Sequence, residues 1–399
     1  MSANMGPLSG IRVLDLGRHL ACPTCGMTLG DLGAEVIKVE KVGWGDDSRH
    51  SGEIVDGTSL YYYTENRNKK GITIDFRSEK GRELLRELIK KSDVLIENFR
   101  FGTMDKMGFD WESVHKLNPR LIMASISGYG KNSPYSDRPG FDSIMSATTG
   151  IMDFNQTEDG RPRITGGIWF IDILSGMWNT ISILAALHRR ESTGLGQYID
   201  TAMYDACIYA LNTYIPLYEK TGIISRSTVI KNVYDAPAGM YKSKDGYVIC
   251  LTGNNGLFER LLTILNDPVL HNPIYKDQAT RIVPEHTEIL NAAVAKAMLN
   301  KTGDEWEEIF ARIGIPGGKV KNLGEVMASP ATQTRNTTIK LDIPGMGEVT
   351  FPGTPMSFSD ETLGFTSAPD LGEHNKEIYG GLLGLSDEEI AQLTAEKVI

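Results

Sequence analysis

One carboxylate stands apart in this sequence. Asp172 lies in Thr165-Gly-Gly-Ile-Trp-Phe-Ile-Asp172-Ile-Leu-Ser-Gly176, near the start of a 20-residue, mostly apolar run from Ile168 to Leu187. A carboxylate at the head of an apolar helix has two readings. As an N-cap it accepts from the first free amides and contributes about 0.5–2 kcal/mol. As a partly desolvated nucleophile or base, it sits where the positive end of a helix can steady developing charge. The residues by themselves leave both open, and the two are compatible.

Cys22-Pro-Thr-Cys25 has the dithiol spacing that, at a helix N-terminus, can lower a thiol pKa. The preferred reading is two small buried residues at a tight turn, because nothing else in the chain resembles a thioredoxin. Cys207 and Cys250 are isolated, and the seven histidines (19, 50, 115, 188, 271, 286 and 374) form no HxxxH or HxH pair. No catalytic metal is therefore expected. His115 and His188 read as structural or surface residues, whereas His19 falls in the first strand-to-helix turn and could touch a ligand. No Gly-x-Ser-x-Gly elbow anchors a hydrolase triad.

Phosphate binding has a weaker signature. The first turn, Leu16-Gly-Arg-His-Leu-Ala-Cys-Pro-Thr-Cys25, is not GxGxxG, so nicotinamide and flavin use are disfavoured. Gly128-Tyr-Gly130-Lys131 lacks Walker spacing, so ATP use has no support. Between Lys38 and Arg138, however, 18 Lys and Arg face 16 Asp and Glu, in a chain of net charge −10. Lys38, Lys41, Arg49, Arg67, Lys69, Lys70, Arg77, Arg100, Lys106 and Arg138 fall at or just after expected strand ends. Ligands of open α/β sheets bind there, so an anionic, phosphate-bearing ligand is a fair expectation. Solvated helix charge accounts for Arg82, Arg86, Lys90 and Lys91.

These groups need elements to position them. Ile11–Leu16 and Glu35–Glu40 read as buried strands flanking a helix over Pro23–Leu32, a βαβ unit. Strands are expected at Ile72–Asp75, Asp93–Ile96 and Arg120–Ser127. Ser78 is the expected N-cap of a helix to Lys91 with a stripe of Leu84, Leu85, Leu88 and Ile89. Residues 170–190 and 200–220 read as two long helices around a turn at Gly194-Leu-Gly196. Further on, a strand is expected at Tyr247–Leu251, after the turn Lys244-Asp-Gly246. Helices follow at Gly256–Leu265, Glu285–Leu299 and Asp304–Ile313, and strands at Thr338–Leu341 and Glu348–Phe351. Residues 352–374, rich in Pro, Gly and Ser, are expected to run along a surface. The fold class is α/β: a Rossmann-like large domain over residues 1–222 and 326–399 with a parallel sheet, and a smaller α/β domain over 223–325.

Composition sets the outer limits. With 399 residues, 41% hydrophobic and 23% charged, this is an ordinary globular chain. Its acidity argues against nucleic acid, which wants clustered positive charge. Four cysteines make no disulfide framework, which points to a reducing compartment such as the cytoplasm. MSANMGPLSG has no basic segment followed by an apolar run, so no signal peptide is expected. The run 168–187 could span a bilayer by length, but a central Asp costs about 2.5–3.5 kcal/mol, and a helix buried in a soluble core is expected instead.

The chain resembles the class III CoA-transferases, the group that includes formyl-CoA transferase and the carnitine CoA-transferase. The resemblance rests on the order of Pro7-Leu-Ser-Gly-Ile-Arg-Val-Leu-Asp15, Gly30-Asp-Leu-Gly-Ala-Glu-Val-Ile-Lys-Val-Glu40, Gly45-Asp-Asp-Ser-Arg49, Asn66-Arg-Asn-Lys-Lys70 and Asp93-Val-Leu-Ile-Glu-Asn-Phe99. It continues through Asn118-Pro-Arg-Leu-Ile122, Gly128-Tyr-Gly130, Arg138-Pro-Gly-Phe-Asp142, Gly194-Leu-Gly-Gln-Tyr-Ile-Asp200 before Met203-Tyr-Asp205, Lys244-Asp-Gly246, Gly314-Ile-Pro316 and Ala368-Pro-Asp-Leu-Gly-Glu-His374. Together these span nearly the whole chain.

The resemblance implies transfer of CoA from an acyl-CoA to a free carboxylate, with Asp172 as the nucleophile. CoA and acyl-CoA enter as substrates, with no tightly bound cofactor, no metal and no membrane. For CoA it implies His19 near the thiol end, and Lys41 and Arg77 near the nucleotide phosphates or adenine. Asn98, Phe99 and Lys106 would line the channel, Arg138 is a nearby basic residue, and Asp142 is an acidic residue close to the nucleophile. It also implies a homodimer whose chains interlock. Leu20 replaces a glutamine of formyl-CoA transferase, and a long glycine loop is absent around Tyr234-Asp-Ala-Pro-Ala-Gly239, which disfavours formate and oxalate. The stretches 45–49 and 66–70 look closer to members using succinyl-CoA and small dicarboxylates. A 2-methylacyl-CoA racemase is the runner-up, but Gly140-Phe141-Asp142 lacks the histidine of that group, hence one of two bases. A non-catalytic CoA-binding protein is the third reading.

Overall fold

A computed structural model of the chain describes residues 6–157, 159–164, 168–228, 235–335 and 337–399. Thr165-Gly-Gly167 before the nucleophile candidate, and Tyr234, lie outside the described residues. The chain divides into two compact units: Met1–Thr149, Gly167–Asn212 and Ala331–Ile399 form one, and Gly150–Gly166 with Thr213–Pro330 the other. The boundaries differ from those expected at 222/223 and 325/326, because Gly150–Gly166, Thr213–Gly222 and residues 326–330 fall in the smaller unit.

The larger unit is built on six strands: β1 Arg12–Asp15, β2 Glu35–Glu40, β3 Lys69–Thr73, β4 Val94–Glu97, β5 Ile122–Ser127 and β6 Tyr198–Ala202, ordered β3-β2-β1-β4-β5-β6. Every neighbouring pair is parallel. The inner strands are apolar on both faces, as Val13, Leu14, Ile37, Val94, Leu95, Ile96, Ile122 and Ala124 show, and so need covering on both sides. The covering helices include α1 Ala21–Asp31, α2 Leu60–Glu65, α3 Glu79–Lys90, α4 Asp142–Thr148, α5 Phe170–Thr193 and α6 Met203–Leu211. Ser78 caps α3, its Oγ accepting from the Gly81 amide at 3.0 Å, and Leu84, Leu85, Leu88 and Ile89 are buried. The order of strands reverses between β1 and β4, which opens a crevice beyond their carboxyl ends.

Two expectations are corrected. The strand expected at Ile72–Asp75 runs instead from Lys69 to Thr73, because Lys69 and Lys70 are neutralised by Asp15 and Glu35 and can enter a sheet. Residues 200–220 are not one helix. Tyr198–Ala202 is β6, paired with β5, and two helices follow, Met203–Leu211 and Tyr214–Thr221, with Asn212 between them at φ 43°.

Helix α5, 24 residues long, is the one helix among the described residues long and apolar enough to cross a membrane. Three of its buried polar side chains find nearby partners. Ser175 Oγ donates to the Ile171 carbonyl at 2.7 Å, Thr180 Oγ1 to that of Gly176 at 2.9 Å, and Asn179 Oδ1 accepts from Thr201 at 3.0 Å. Burial is one-sided. Ile171, Ser175, Gly176, Asn179 and Ile183 are covered, whereas Trp169, Phe170, Ile173 and Ile181 are exposed, so the helix expected to lie in a core is buried on one face. Gly194, at φ 70°, ends it.

The open edge of β3 is covered by the late segment of the chain. Residues 353–370 have no regular structure, and Asn68 exchanges bonds with Thr366 at 3.2 and 2.7 Å. Asn375 accepts from the Thr73 amide at 2.9 Å, and Tyr379 donates to the Thr73 carbonyl at 2.7 Å. This occupies hydrogen-bonding groups that an edge strand would otherwise present.

The smaller unit has an antiparallel sheet of Ala238–Lys242, Tyr247–Leu251 and Gly317–Lys319. Helices Asn255–Leu262, Pro284–Met298 and Gly303–Ile313 pack their apolar faces with it around Phe258, Leu290, Val294, Trp306 and Phe310.

Candidate active site

The crevice between β1 and β4 is shaped by a buried chain of charges. Asp15, at the end of β1, accepts from Lys69 Nζ at 2.9 Å and from the Gly17 amide at 2.7 Å. Lys38 Nζ donates to the Gly17 carbonyl at 3.0 Å and to Asp46 at 2.8 Å, with both side chains buried. The second oxygen of Asp46 accepts from the amides of Ser48 at 2.9 Å and His19 at 3.2 Å. Burial alone would lift the Asp46 pKa, but the Lys38 ammonium and these amides hold it well below the usual carboxylate range. The network fixes both sides of the turn Gly17-Arg18-His19. Asn98, beyond β4, closes it by accepting from the Arg18 amide at 2.9 Å and donating to the Arg18 carbonyl at 2.8 Å. His19 is held at φ 63°, a region non-glycine residues seldom occupy, and its imidazole lies half-exposed, 6.3 Å from the Phe141 ring.

Asp172 is not the N-cap of α5. Trp169 takes that position without a side-chain bond, and Asp172 is the third helical residue. The cap is supplied by another helix. Buried Asp142, at the start of α4, accepts at Oδ2 from the amides of Ile171 at 2.8 Å and Asp172 at 3.3 Å. The Asp172 carboxylate makes no hydrogen bond among the described residues. Burial, reinforced by Asp142 and Glu65, pushes its pKa up to about 7. Of the two readings left open by the sequence, the capping role therefore belongs to Asp142.

Glu65 is the residue the sequence reading missed. It ends α2, is buried, and its Oε2 accepts from Thr24 Oγ1 of α1 at 2.7 Å. Thr24 in turn packs against Gly176, one helical turn beyond Asp172. A Cβ there would lie 2.5 Å from the Ala21 carbonyl oxygen and 3.1 Å from Thr24 Cβ, so glycine is what lets α1 and α5 close. A lone carboxylate ending Leu60-Tyr-Tyr-Tyr-Thr-Glu65 was the available signal. Tyr61 lies within electrostatic reach of both Glu65 and Asp172.

Of the ten basic residues singled out in the sequence, five are occupied. Lys38, Arg49, Arg67, Lys69 and Lys70 pair with Asp46, Glu40, Asp31, Asp15 and Glu35 respectively, and Lys70 also with Glu377. Lys69 and Lys70 open β3 rather than end it. Lys41, Arg77, Arg100, Lys106 and Arg138 are exposed on segments that follow β2, β3, β4 and β5, with no ion pair among the described residues. Arg138 stacks its guanidinium 3.9 Å from the Tyr135 ring centre. Phe99 parts company with Asn98: its amide donates to Glu97 at 2.7 Å, and its ring lines a pocket with Glu97, Trp111, Tyr198 and Asp200.

The Cys22 and Cys25 thiols are buried and free. Burial raises both pKa values, that of Cys25 to about 12, the opposite of an activated dithiol. Cys22 faces Asp15 at 3.9 Å and Cys25 accepts from Asn179 at 3.7 Å, so both are packing residues beneath the crevice.

Known proteins share this architecture. The family model described as CoA-transferase family III matches residues 8–375. Succinyl-CoA–D-citramalate CoA-transferase of Chloroflexus aurantiacus is 37% identical, covering 98% of both chains. Human succinyl-CoA:glutarate CoA-transferase is 33% identical over 99% of this chain and 90% of its own. The crystal structure of a CAIB/BAIF family protein from Brucella suis superposes with a TM-score of 0.83 at 36% identity, covering 95% of this chain and all of that one. A parallel sheet reversing between β1 and β4, a matching model over nearly every residue, and full-length relatives that move CoA between acids together make this chain a member of CoA-transferase family III, an enzyme that exchanges CoA between an acyl-CoA and a carboxylate.

Proposed function

We propose that Asp172 is the nucleophile of this transfer. Its carboxylate attacks the thioester carbonyl, the C–S bond breaks, and CoA leaves as the thiolate, giving an aspartyl mixed anhydride. The thiolate then attacks the aspartyl carbonyl, which forms an aspartyl-CoA thioester and releases the donor acid. The acceptor carboxylate reverses both steps. One thioester is exchanged for another, so the sequence needs no external energy source. The observation that carries the reading is a half-buried carboxylate, free of hydrogen bonds among the described residues, beside the capped end of α5. A carboxylate kept from such partners retains its basicity for attack. Asp172→Ala abolishes transfer, and hydroxylamine added after acyl-CoA traps a derivative on Asp172. Full activity in the variant overturns the assignment.

CoA spreads over the carboxyl ends of the strands. His19 and Asn98 meet its thiol arm, Lys41, Arg77 and Lys106 its phosphates, and Phe99, Arg138 and Asp142 border the path. The exposed cations after β2, β3 and β4 support this course. Succinyl-CoA is the proposed donor and a small carboxylic acid the acceptor, in keeping with the names of the relatives. The working form is a homodimer, supported by the exposed Trp169, Phe170, Ile173 and Ile181 of the α5 region. Free cysteines suit the reducing cytoplasm. A matrix of donors against acceptors, read by mass spectrometry, identifies the acids.

A further inference from the structure

The N-terminal turn of α5 has free amides, and such amides bind the nearest anion. Asp172 is the nearest anion on its own helix, yet a second chain segment has taken the place. Asp142 Oδ2 accepts from both Ile171 and Asp172, at 2.8 and 3.3 Å. Two like charges are thereby held at one helix end, and neither has a cation among its hydrogen-bond partners in the described residues.

We infer that Asp142 is a positioning residue that denies the α5 amides to Asp172 and drives acyl transfer by like-charge repulsion. It rests on Asp172 being the nucleophile. When Asp172 attacks, a C–O bond forms, the C–S bond breaks, and the electron pair leaves on sulfur. One negative charge moves from the Asp172 carboxylate, beside Asp142, to the CoA thiolate. The repulsion present before attack is relieved in the anhydride, so it favours the step it precedes. It returns when the aspartyl group is released, and the acid leaves a site that is again poised.

The groups that bear on Asp172 are few. Asp142 comes from α4, and Glu65 and Tyr61 from α2. Cys207 of α6 lies within electrostatic reach of Asp142, and Cys25 of α1 accepts from Asn179. Asp142 alone among them bonds to the Asp172 backbone, so its charge can be removed while its cap is kept.

The test compares wild type with Asp142→Asn, whose amide oxygen can still accept from both N–H groups. Three readouts are taken: the pH dependence of single-turnover acylation by succinyl-CoA, the KM for CoA thioester, and thermal stability. The acid limb of acylation should move down by about one pH unit, and the rate above pH 8 should fall roughly three- to tenfold, as a less basic carboxylate attacks more slowly. KM should hold within about twofold. An acid limb and acylation rate equal to wild type overturn the proposal. Asp142→Ser, a shorter uncharged cap, is measured beside it; if neither variant folds, Asp142 serves stability alone and the proposal also falls. Failure of the nucleophile assignment is separate, because it appears in wild type as hydroxylamine capture away from Asp172.

Discussion

The amide of His19 donates to Oδ1 of Asp46 at 3.2 Å while the other oxygen of that carboxylate accepts from buried Lys38 at 2.8 Å. One buried ion pair thus holds a turn that has to keep His19 at a positive φ. Removing one partner leaves the other charge buried and alone, which costs about 3–5 kcal/mol. Asp46→Ala should lose stability on that scale in urea unfolding, and Lys38→Met combined with Asp46→Leu should lose less than either charge deletion. Equal losses in the single and the double variant would contradict the pairing.

Asp172 pays in stability for its place. Its folded-state pKa, about 7, lies above the ordinary carboxylate value of 3.8. Protonation is therefore linked to folding. The penalty is absent below the unfolded pKa, grows between about pH 4 and 7, and is complete above it. Three units correspond to at most roughly 4 kcal/mol. Asp172→Asn should be inactive and more stable than wild type at pH 8, with the difference vanishing near pH 4. Thermal melts across that range read it directly.

Gly176→Ala should push α1 and α5 apart. The added methyl meets a backbone oxygen at 2.5 Å, which no side-chain rotation can relieve. A loss of about 1–3 kcal/mol is expected, together with a fall in kcat, since Asp172 lies one turn away. Gly246→Ala, where a Cβ meets nothing within 4 Å, serves as the control and should be neutral in both.

The exposed cations should separate from the paired ones. Lys41→Ala, Arg77→Ala and Lys106→Ala should each raise KM for acyl-CoA by roughly two- to fivefold, on the scale of about 0.2–1 kcal/mol for an exposed charge pair, and flatten its salt dependence. Lys70→Ala, which removes a partner of Glu35 and Glu377, should leave KM unchanged.

Much of the sheet was legible because its strands are apolar runs of ordinary length. Glu35–Glu40 and Tyr247–Leu251 match their expected bounds, and Ser78 caps α3 as its position before a periodic stripe implies. β6 was not legible. Tyr198–Ala202 runs straight into a helix with no breaking residue, and only its pairing with β5 marks it as a strand. At the site, Asp172 could be found by its isolation in an apolar run, but its environment could not. Asp142 and Glu65 reach it from 30 and more than 100 residues away in sequence, and no local pattern encodes such meetings. The excess of basic residues was overread for the same reason. Five of the ten are balanced by carboxylates, Asp31, Asp15 and Glu35 at 36, 54 and 35 residues from Arg67, Lys69 and Lys70, and Asp46 and Glu40 across a tight turn from Lys38 and Arg49, and a charge count pairs none of them.

The covering of β3 by residues 366–379 has a consequence for biosynthesis. A ribosome delivers β3 about three hundred residues before the segment that saturates its edge. Through most of translation that strand would present open amides and carbonyls to other nascent chains. Lys70, partly exposed at the opening of β3, stands at that margin, and charge at an unpaired strand is a known deterrent to wrong association. Lys70, which lies outside the strand expected at Ile72–Asp75, would then protect that edge until the late segment arrives.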